Sequence, residues 1–223
     1  MNLNKIEFRN EKKLLFLEPE NYLDSFFKYL KFKEIFHKRK INTIYFETNN
    51  LDDLLDTING EKSRSKLRLR WYGKTFNSSV RPVLENKIKI NNQNFKIKQN
   101  LNEFNFSDSI TIQEIEDTIK STYISNDKTY IKYKVRKPNI YVCYYRKYYK
   151  YKNIRITLDT KLKSNSFYRK KKIFKNDFLQ EKKFSIVEIK YLDKDFEEVK
   201  KLSEKFKNRF TKFSKYENAL IGS

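Results

Sequence analysis

The stretch Ser63–Lys74, "SRSKLRLRWYGK", sorts its residues by parity. Arg64, Lys66, Arg68, Arg70 and Lys74 hold even positions, and Leu67, Leu69 and Trp71 hold odd ones. Successive side chains of a β-strand point to opposite faces. The stretch therefore reads as a strand with one cationic face and one face apolar enough to be buried. The fold must pack the Leu–Trp face into a core and find a use for the other.

The same parity recurs along the chain. Strands are expected at about 6–13, 42–48, 65–72, 82–90, 94–99, 140–149, 153–159 and 184–191. Segment 129–136, "TYIKYKVR", also alternates, and reads as a short strand or a helix end. Helices are expected at about 19–31, 50–58, 111–122 and 195–208. The first follows Glu18-Pro19, a start signal. The second has Asn50 as a cap candidate, an acidic first turn and Gly60 just past its end. The last carries Phe196, Val199, Leu202 and Phe206 on one stripe.

Composition narrows the partner. Among 223 residues, 50 Lys+Arg face 28 Asp+Glu, a formal net charge of +22. Such a balance points to a polyanion: nucleic acid, an anionic membrane surface or a phosphate-rich molecule. Abundant Asn, Ile, Lys, Tyr and Phe suggest AT-rich coding, which explains part of the Lys excess but not where Arg falls. Hydrophobic residues at 38% supply a sizeable core and argue against disorder. One Cys, Cys143, excludes an internal disulfide, and with one His, His37, no zinc site is expected. No apolar run is long enough to span a bilayer, and the N-terminus lacks the apolar region of a signal peptide. The expected location is the cytoplasm, with the inner face of the membrane as an option, and one domain over 1–223 is expected.

The polar strand faces combine cations with scattered carboxylates. Glu11 and Lys13, Glu85 and Lys87, and Glu188 and Lys190 each place a Glu two residues before a Lys. Tyr144, Arg146 and Tyr148 share one face, and Arg155, Thr157 and Asp159 another. Taken singly, each is an ordinary solvated face. Many strands with few helices suggest an α+β domain built around a sheet or barrel; if the polar faces point inward, the expectation is a largely antiparallel β-barrel of about eight strands forming a tunnel, with helices packed outside and a C-terminal helix. A lumen lined this way repels itself without an anion. A chain of phosphates is its natural guest, because Arg binds phosphate oxygens bidentately and Lys supplies point charges.

"FRNEKKLL" (8–15), "INTIYFETNNLDDLLD" (41–56), "RSKLRLRWYG" (64–73), "ENK" (85–87), "YYRKYY" (144–149), "IRITLDT" (154–160), "VEIKY" (187–191) and "KFSKYENAL" (212–220) together resemble the catalytic domain of the vacuolar transporter chaperone (VTC) polyphosphate polymerases, of the triphosphate tunnel metalloenzyme group. Glu47 stands where that family usually has Asp. The resemblance implies transfer of the γ-phosphoryl group of a nucleoside triphosphate, ATP by default, to inorganic polyphosphate. It implies catalytic roles for Arg68, Arg70, Arg146, Arg155 and Lys215, and phosphate binding by Lys13, Lys87, Lys96, Tyr144, Lys212 and Ser214. It implies Mn2+ or Mg2+ on Glu188; should the metal sit elsewhere, Glu11 and Glu85 are the next candidates on the polar faces. Lys212 and Lys215 are expected on one helical face. The resemblance further implies a stand-alone, bacterial-type version without sensor domain or membrane helices, with a membrane-protein partner as an option.

Two other readings stay open: a tripolyphosphatase or nucleoside triphosphatase of the same group, and a non-enzymatic RNA-binding protein. The missing Glu-x-Glu-x-Lys opening argues against the first, since position 9 is Arg. The absence of RNA-recognition motifs argues against the second, so no nucleic-acid partner is expected. Several residues are expected to be structural: His37 in a solvated basic turn, "FHKRK"; Cys143 packed; Trp71 in the outer-wall core; "RKKKIFK" (169–175) a solvated loop. The acidic helix at 114–117 has no assigned role.

Overall fold

The computed structural model describes residues 10–74, 78–91, 93–107, 110–122, 136–167, 180–206 and 208–221. Arg9, most of the alternating segment 129–136 and the run 169–175 lie outside them. In chain order the elements are β1 (Asn10–Phe16), α1 (Glu20–Tyr29), β2 (Lys33–Glu47), α2 (Asp52–Ile58), β3 (Ser63–Tyr72), β4 (Ser78–Val80), β5 (Val83–Ile90), β6 (Gln93–Asn100), β7 (Phe104–Phe106), α3 (Ile112–Thr122), β8 (Lys137–Tyr151), β9 (Ile154–Ser166), β10 (Gln180–Glu181), β11 (Ser185–Tyr191), a 3-10 turn (Asp193–Asp195), α4 (Phe196–Lys205) and α5 (Lys215–Ile221). The α+β, largely antiparallel architecture expected from the sequence is present. Eight strands form one ladder in the order β1-β11-β9-β8-β2-β3-β5-β6, with β10 paired to β9, and β4 and β7 form a separate pair.

The chain divides into two compact units. The first takes its described residues from 1–39, 144–162 and 182–213, and the second from 40–143, 163–181 and 214–223. Strands β2, β8 and β9 run through both.

The first unit has its own core. Leu14 and Phe16 of β1, Ile154, Ile156 and Leu158 of β9, and Val187, Ile189 and Tyr191 of β11 present one apolar sheet face. Leu23 and Phe27 of α1 and Val199 and Leu202 of α4 cover it. On α1 those positions are i and i+4, one stripe of the helix. Phe206, expected on the α4 stripe, lies just past the helix end and still packs here, 6.0 Å from the Phe16 ring.

The second unit buries Leu67, Leu69 and Trp71, as their odd positions predict, with Ile44 and Phe46 of β2 and Leu84 of β5. Ile115 and Ile119 of α3 join them from an i, i+4 stripe. Trp71 stacks on Phe106 at 4.0 Å and donates its indole N–H to the Lys74 carbonyl at 3.2 Å. Cys143 is buried in this core.

Local signals explain the helix starts. Thr111 and Glu114 form a capping box: the Glu114 amide donates to Thr111 Oγ1 at 3.2 Å, and the Thr111 amide donates to Glu114 at 2.7 Å. That gives Glu114 of the acidic helix a role. For α2 the expected Asn50 cap is not used. The buried Glu47 carboxylate instead accepts the amides of Thr48, Asp53 and Leu54 at 2.8, 3.1 and 3.1 Å, and a hydrogen bond from the Tyr216 hydroxyl. The longer Glu side chain thus spans from the end of β2 to the first turn of α2. Gly60 follows that helix at φ 72, the left-handed conformation expected of a residue closing it.

Two expectations are corrected. "FHKRK" is part of β2 rather than a turn; His37 is exposed, as expected, and packs against the Phe36 ring at 4.2 Å. Lys212 and Lys215 do not share a helical face, because Lys212 precedes α5 and Lys215 is its first residue. The break has a cause. Ser214 Oγ accepts the Glu217 amide at 3.4 Å, so the helix is capped at Ser214.

Candidate functional site

Strand register assembles a cationic face in the second unit. Tyr45 of β2 lies opposite Arg68 of β3, which lies opposite Glu85 of β5. Lys66, Lys87 and Lys96 form a row across β3, β5 and β6. Arg68 and Arg70 are not in open solvent: their side chains are 16% and 11% exposed. Both turn toward Glu85, whose side chain is 5% exposed. Arg68 donates through Nε at 2.8 Å, Arg70 approaches at 3.2 Å, and Lys96 meets the other carboxylate oxygen at 2.6 Å. Three cations therefore converge on one carboxylate.

The electrostatics follow. Burial pushes the Glu85 carboxyl up, but Arg68, Arg70 and Lys96 outweigh it and hold it at about 2. Burial drives the Lys96 ammonium down; its bond to Glu85 offsets part of this, the two arginines add to it, and it settles at about 8. Burial likewise lowers Lys66 to about 8, against the pull of Tyr45 and with the push of Lys87 and Arg64. Burial raises the Tyr45 phenol, yet Arg68, Arg70 and Lys215 bring it below its ordinary value. Lys66 donates to Ser214 Oγ at 3.0 Å, and its ammonium lies 5.6 Å from the Tyr216 ring centre. Lys87 is exposed.

The first unit carries its own charged face. Lys13 of β1 lies opposite Glu188 of β11, which lies opposite Thr157 of β9, and Glu11, Lys190 and Arg155 line up in the same way. Lys190 contacts Glu188 at 2.8 Å and Glu11 at 3.8 Å. Lys13 contacts Glu11 at 2.9 Å and donates to the Phe213 carbonyl at 2.9 Å. Arg155 is exposed on this face. Arg146 forms a two-point bond with Asp159, Nε to Oδ1 at 2.5 Å and a terminal nitrogen to Oδ2 at 2.6 Å, and its guanidinium lies 5.3 Å from the Tyr144 ring centre. Burial opposes the charge on Arg146, but Asp159 more than restores it and raises its pKa well above the ordinary value. Lys212 is exposed on the segment before α5.

The predicted residues thus fall into two groups. Arg68, Arg70, Lys87, Lys96, Ser214 and Lys215 belong to the second unit, and Lys13, Tyr144, Arg146, Arg155, Glu188 and Lys212 to the first. Sequence reading put Lys66 on the cationic face but named neither Lys66 nor Tyr45 as a site residue, and it missed Asp159 as the partner of Arg146. Lys66 shares its parity with Arg68, a signal that was available. Asp159 sits four residues after Arg155 in "RITLD", but its pairing with Arg146 depends on strand register.

A divalent cation would need carboxylate oxygen here. No group of three His, Cys, Asp or Glu residues suited to a metal occurs among the described residues. Glu188 and Glu11 do converge on one cation, the Lys190 ammonium. Two carboxylates completed by substrate phosphate oxygens are a usual donor set for Mg2+, so this pair fits the group.

Removing one member of the Arg146–Asp159 pair should be costly. Asp159 is fully buried, and Asp159→Ala would leave an uncompensated guanidinium that is 13% exposed. A loss of about 3–5 kcal/mol in urea unfolding is expected.

The family model described as the VTC domain matches residues 9–221. No curated protein sequence matches the chain. Solved structures share the fold at low identity. A protein from Pyrococcus horikoshii OT3 aligns with TM-score 0.53 and 15% identity, over 96% of this chain and 100% of its own. A "putative adenylate cyclase" from Vibrio parahaemolyticus gives 0.52 and 11%, over 96% and 98%. A "putative adenylyl cyclase" from Hippeastrum, described as having a dominant triphosphatase activity, gives 0.52 and 14%, over 96% and 97%. No helix among the described residues is long and apolar enough to cross a membrane.

Proposed function

Because this chain belongs to the VTC domain family, we propose that it is a polyphosphate polymerase. It transfers the γ-phosphoryl group of a nucleoside triphosphate, ATP by default, to the end of a growing inorganic polyphosphate, with Mn2+ or Mg2+. The observation that carries the proposal is the Arg68–Arg70 pair: half-buried guanidinium groups on a sheet face whose reverse side is a sealed apolar core.

The chemistry asks for positioning and charge stabilisation more than covalent catalysis. A terminal oxygen of the acceptor attacks the γ-phosphorus, the bond from that phosphorus to the β,γ-bridging oxygen breaks, and the nucleoside diphosphate leaves with the electron pair. Arg68 and Arg70 hold phosphoryl oxygens of the donor, and Lys87 and Lys96 extend the same face. Glu85 keeps the two guanidinium groups apart and oriented when no anion is present. In the first unit, Arg146, Arg155 and Lys13 offer further phosphate ligands, with Arg146 fixed in direction by Asp159. Tyr144 supports the Arg146 plane, and Lys212, Lys215 and Ser214 contribute at the C-terminal segment. Glu188 and Glu11 would hold a metal on the first unit's face, where it would supply charge neutralisation to bound phosphate. Ion pairs occupy many of these cations, which favours a ligand of high charge density over duplex nucleic acid.

The deciding experiment incubates the purified protein with ATP and Mn2+ and resolves the products on a gel stained for polyphosphate. A ladder of polyphosphate is expected. Orthophosphate alone would replace the proposal with the hydrolase reading, which the description of the Hippeastrum neighbour favours. A melting-temperature rise as large with duplex oligonucleotide as with polyphosphate, at equal phosphate concentration, would favour nucleic-acid binding.

The site's lysines set a pH dependence. Lys66 and Lys96 titrate near about 8 in the free protein. Tripolyphosphate affinity should therefore fall as pH rises through about 8, because both cations are lost. Folding stability should move the other way: a Lys whose folded pKa lies below its unfolded value favours the folded state increasingly as pH climbs from about 8 toward about 10.4. Calorimetric titration and urea unfolding over that window check the two signs.

A further inference from the structure

The second unit holds two polar atoms that its own side chains leave unsatisfied on the cationic face. Thr43 of β2 is 1% exposed, and its Oγ1 has no hydrogen-bond partner among the described residues. Arg70 of β3 is its ladder partner, and Arg70 Nε is buried and likewise unpaired among the described residues. The parity of β2 confirms the face: Ile44 and Phe46 enter the core, while Thr43 and Tyr45 lie opposite Arg70 and Arg68. Buried polar groups are nearly always paired, and leaving one unpaired costs free energy. Two neighbouring exceptions on one face need an explanation.

What they lack is an acceptor. An arginine Nε can only donate, and a threonine hydroxyl needs an acceptor for its proton. The carboxylate of this face, Glu85, already takes Arg68, Arg70 and Lys96. A second charged donor could bond the Thr43 oxygen but would leave Arg70 Nε and the hydroxyl proton unpaired. A phosphoryl oxygen would satisfy both, since it only accepts and carries the charge that shortens and strengthens such bonds.

The geometry points to Thr43 Oγ1 and Arg70 Nε as a paired subsite for a phosphoryl oxygen of a phosphoanhydride chain. The inference rests on the proposed reading of this face as the triphosphate-binding surface and adds a ligand that the resemblance did not assign. It also gives Arg70 a task distinct from that of Arg68, whose Nε is spent on Glu85. Thr43 binds through a neutral hydroxyl, so its contribution should depend less on salt than that of the lysines.

Thr43→Val is nearly the same shape and removes the hydroxyl. Isothermal titration with inorganic tripolyphosphate reads the effect without turnover. A loss of affinity of about tenfold is expected, with a thermal midpoint unchanged or raised, because an unsatisfied buried group has been removed. Thr43→Ser, which keeps the hydroxyl, should bind within about threefold of wild type; Thr43→Ala should bind like Thr43→Val and reads the same loss if Val does not fit. Wild-type affinity in Thr43→Val, or equal losses in Thr43→Val and Thr43→Ser, overturns the subsite while leaving the proposed function standing. No tripolyphosphate binding by the wild-type protein overturns both.

Discussion

Glu188→Gln should lower metal-dependent polyphosphate synthesis by about 100-fold or more while polyphosphate binding stays intact or tightens. The rate loss corresponds to about 2.7 kcal/mol of transition-state charge stabilisation. Tighter binding follows because one negative charge leaves an anion site. The register places Glu188 between Lys13 and Thr157, with Lys190 at 2.8 Å as its cation. The amide keeps size and polarity but cannot hold a divalent ion or a full ion pair. Raising Mn2+ should rescue the variant only in part, since Glu11 remains. Synthesis at near wild-type rate in low Mn2+ would move the metal elsewhere. Glu85 would then be a poor substitute, because three cations already saturate it and hold its carboxyl at about 2.

Arg70→Ala should reduce synthesis by at least about 100-fold, in line with loss of a preorganised donor to developing charge. Its melting temperature should stay within about 3 °C of wild type. The stability argument comes from what remains. Glu85 keeps Arg68 and Lys96, so no buried carboxylate is stranded, and removing one guanidinium relieves repulsion on a crowded face. A large drop in melting temperature would mean that Arg70 is a structural cation. An active, stable Arg70→Ala would remove the observation on which the functional proposal stands.

The face of each strand was legible in the sequence, and its partners were not. Alternation in "SRSKLRLRWY" was enough to put Leu67, Leu69 and Trp71 in the core and the arginines opposite. The same held for Val187 and Ile189 against Glu188. Pairings such as Arg68 with Glu85, or Arg146 with Asp159, depend on register, which is decided by the whole sheet. "FHKRK" reads as a turn because Lys33–Lys38, the start of β2, is exposed throughout and carries no alternation to detect. The Lys212–Lys215 error was avoidable: Ser214 and Glu217 have the spacing of a capping box, which starts the helix between the two lysines. Thr43 carried no sequence signal, since an unsatisfied hydroxyl becomes visible only once its surroundings are known.

The two cores are interleaved along the chain, and that bears on how the protein comes to be folded during synthesis. The first core draws on residues from Leu14 to Phe206. The second begins at Ile44 and needs Phe167. A ribosome working from the N-terminus therefore exposes Leu14, Phe16, Leu23 and Phe27 long before Val187, Ile189 and Val199 emerge to cover them. Neither core can close early, and sheet pairings between β1 and β11 span most of the chain, which makes folding slow. In the interval, apolar strands with open edges are available for mispairing. High expression without a holdase chaperone should thus yield aggregate even for a chain whose finished form is stable, and slower synthesis should raise the soluble yield.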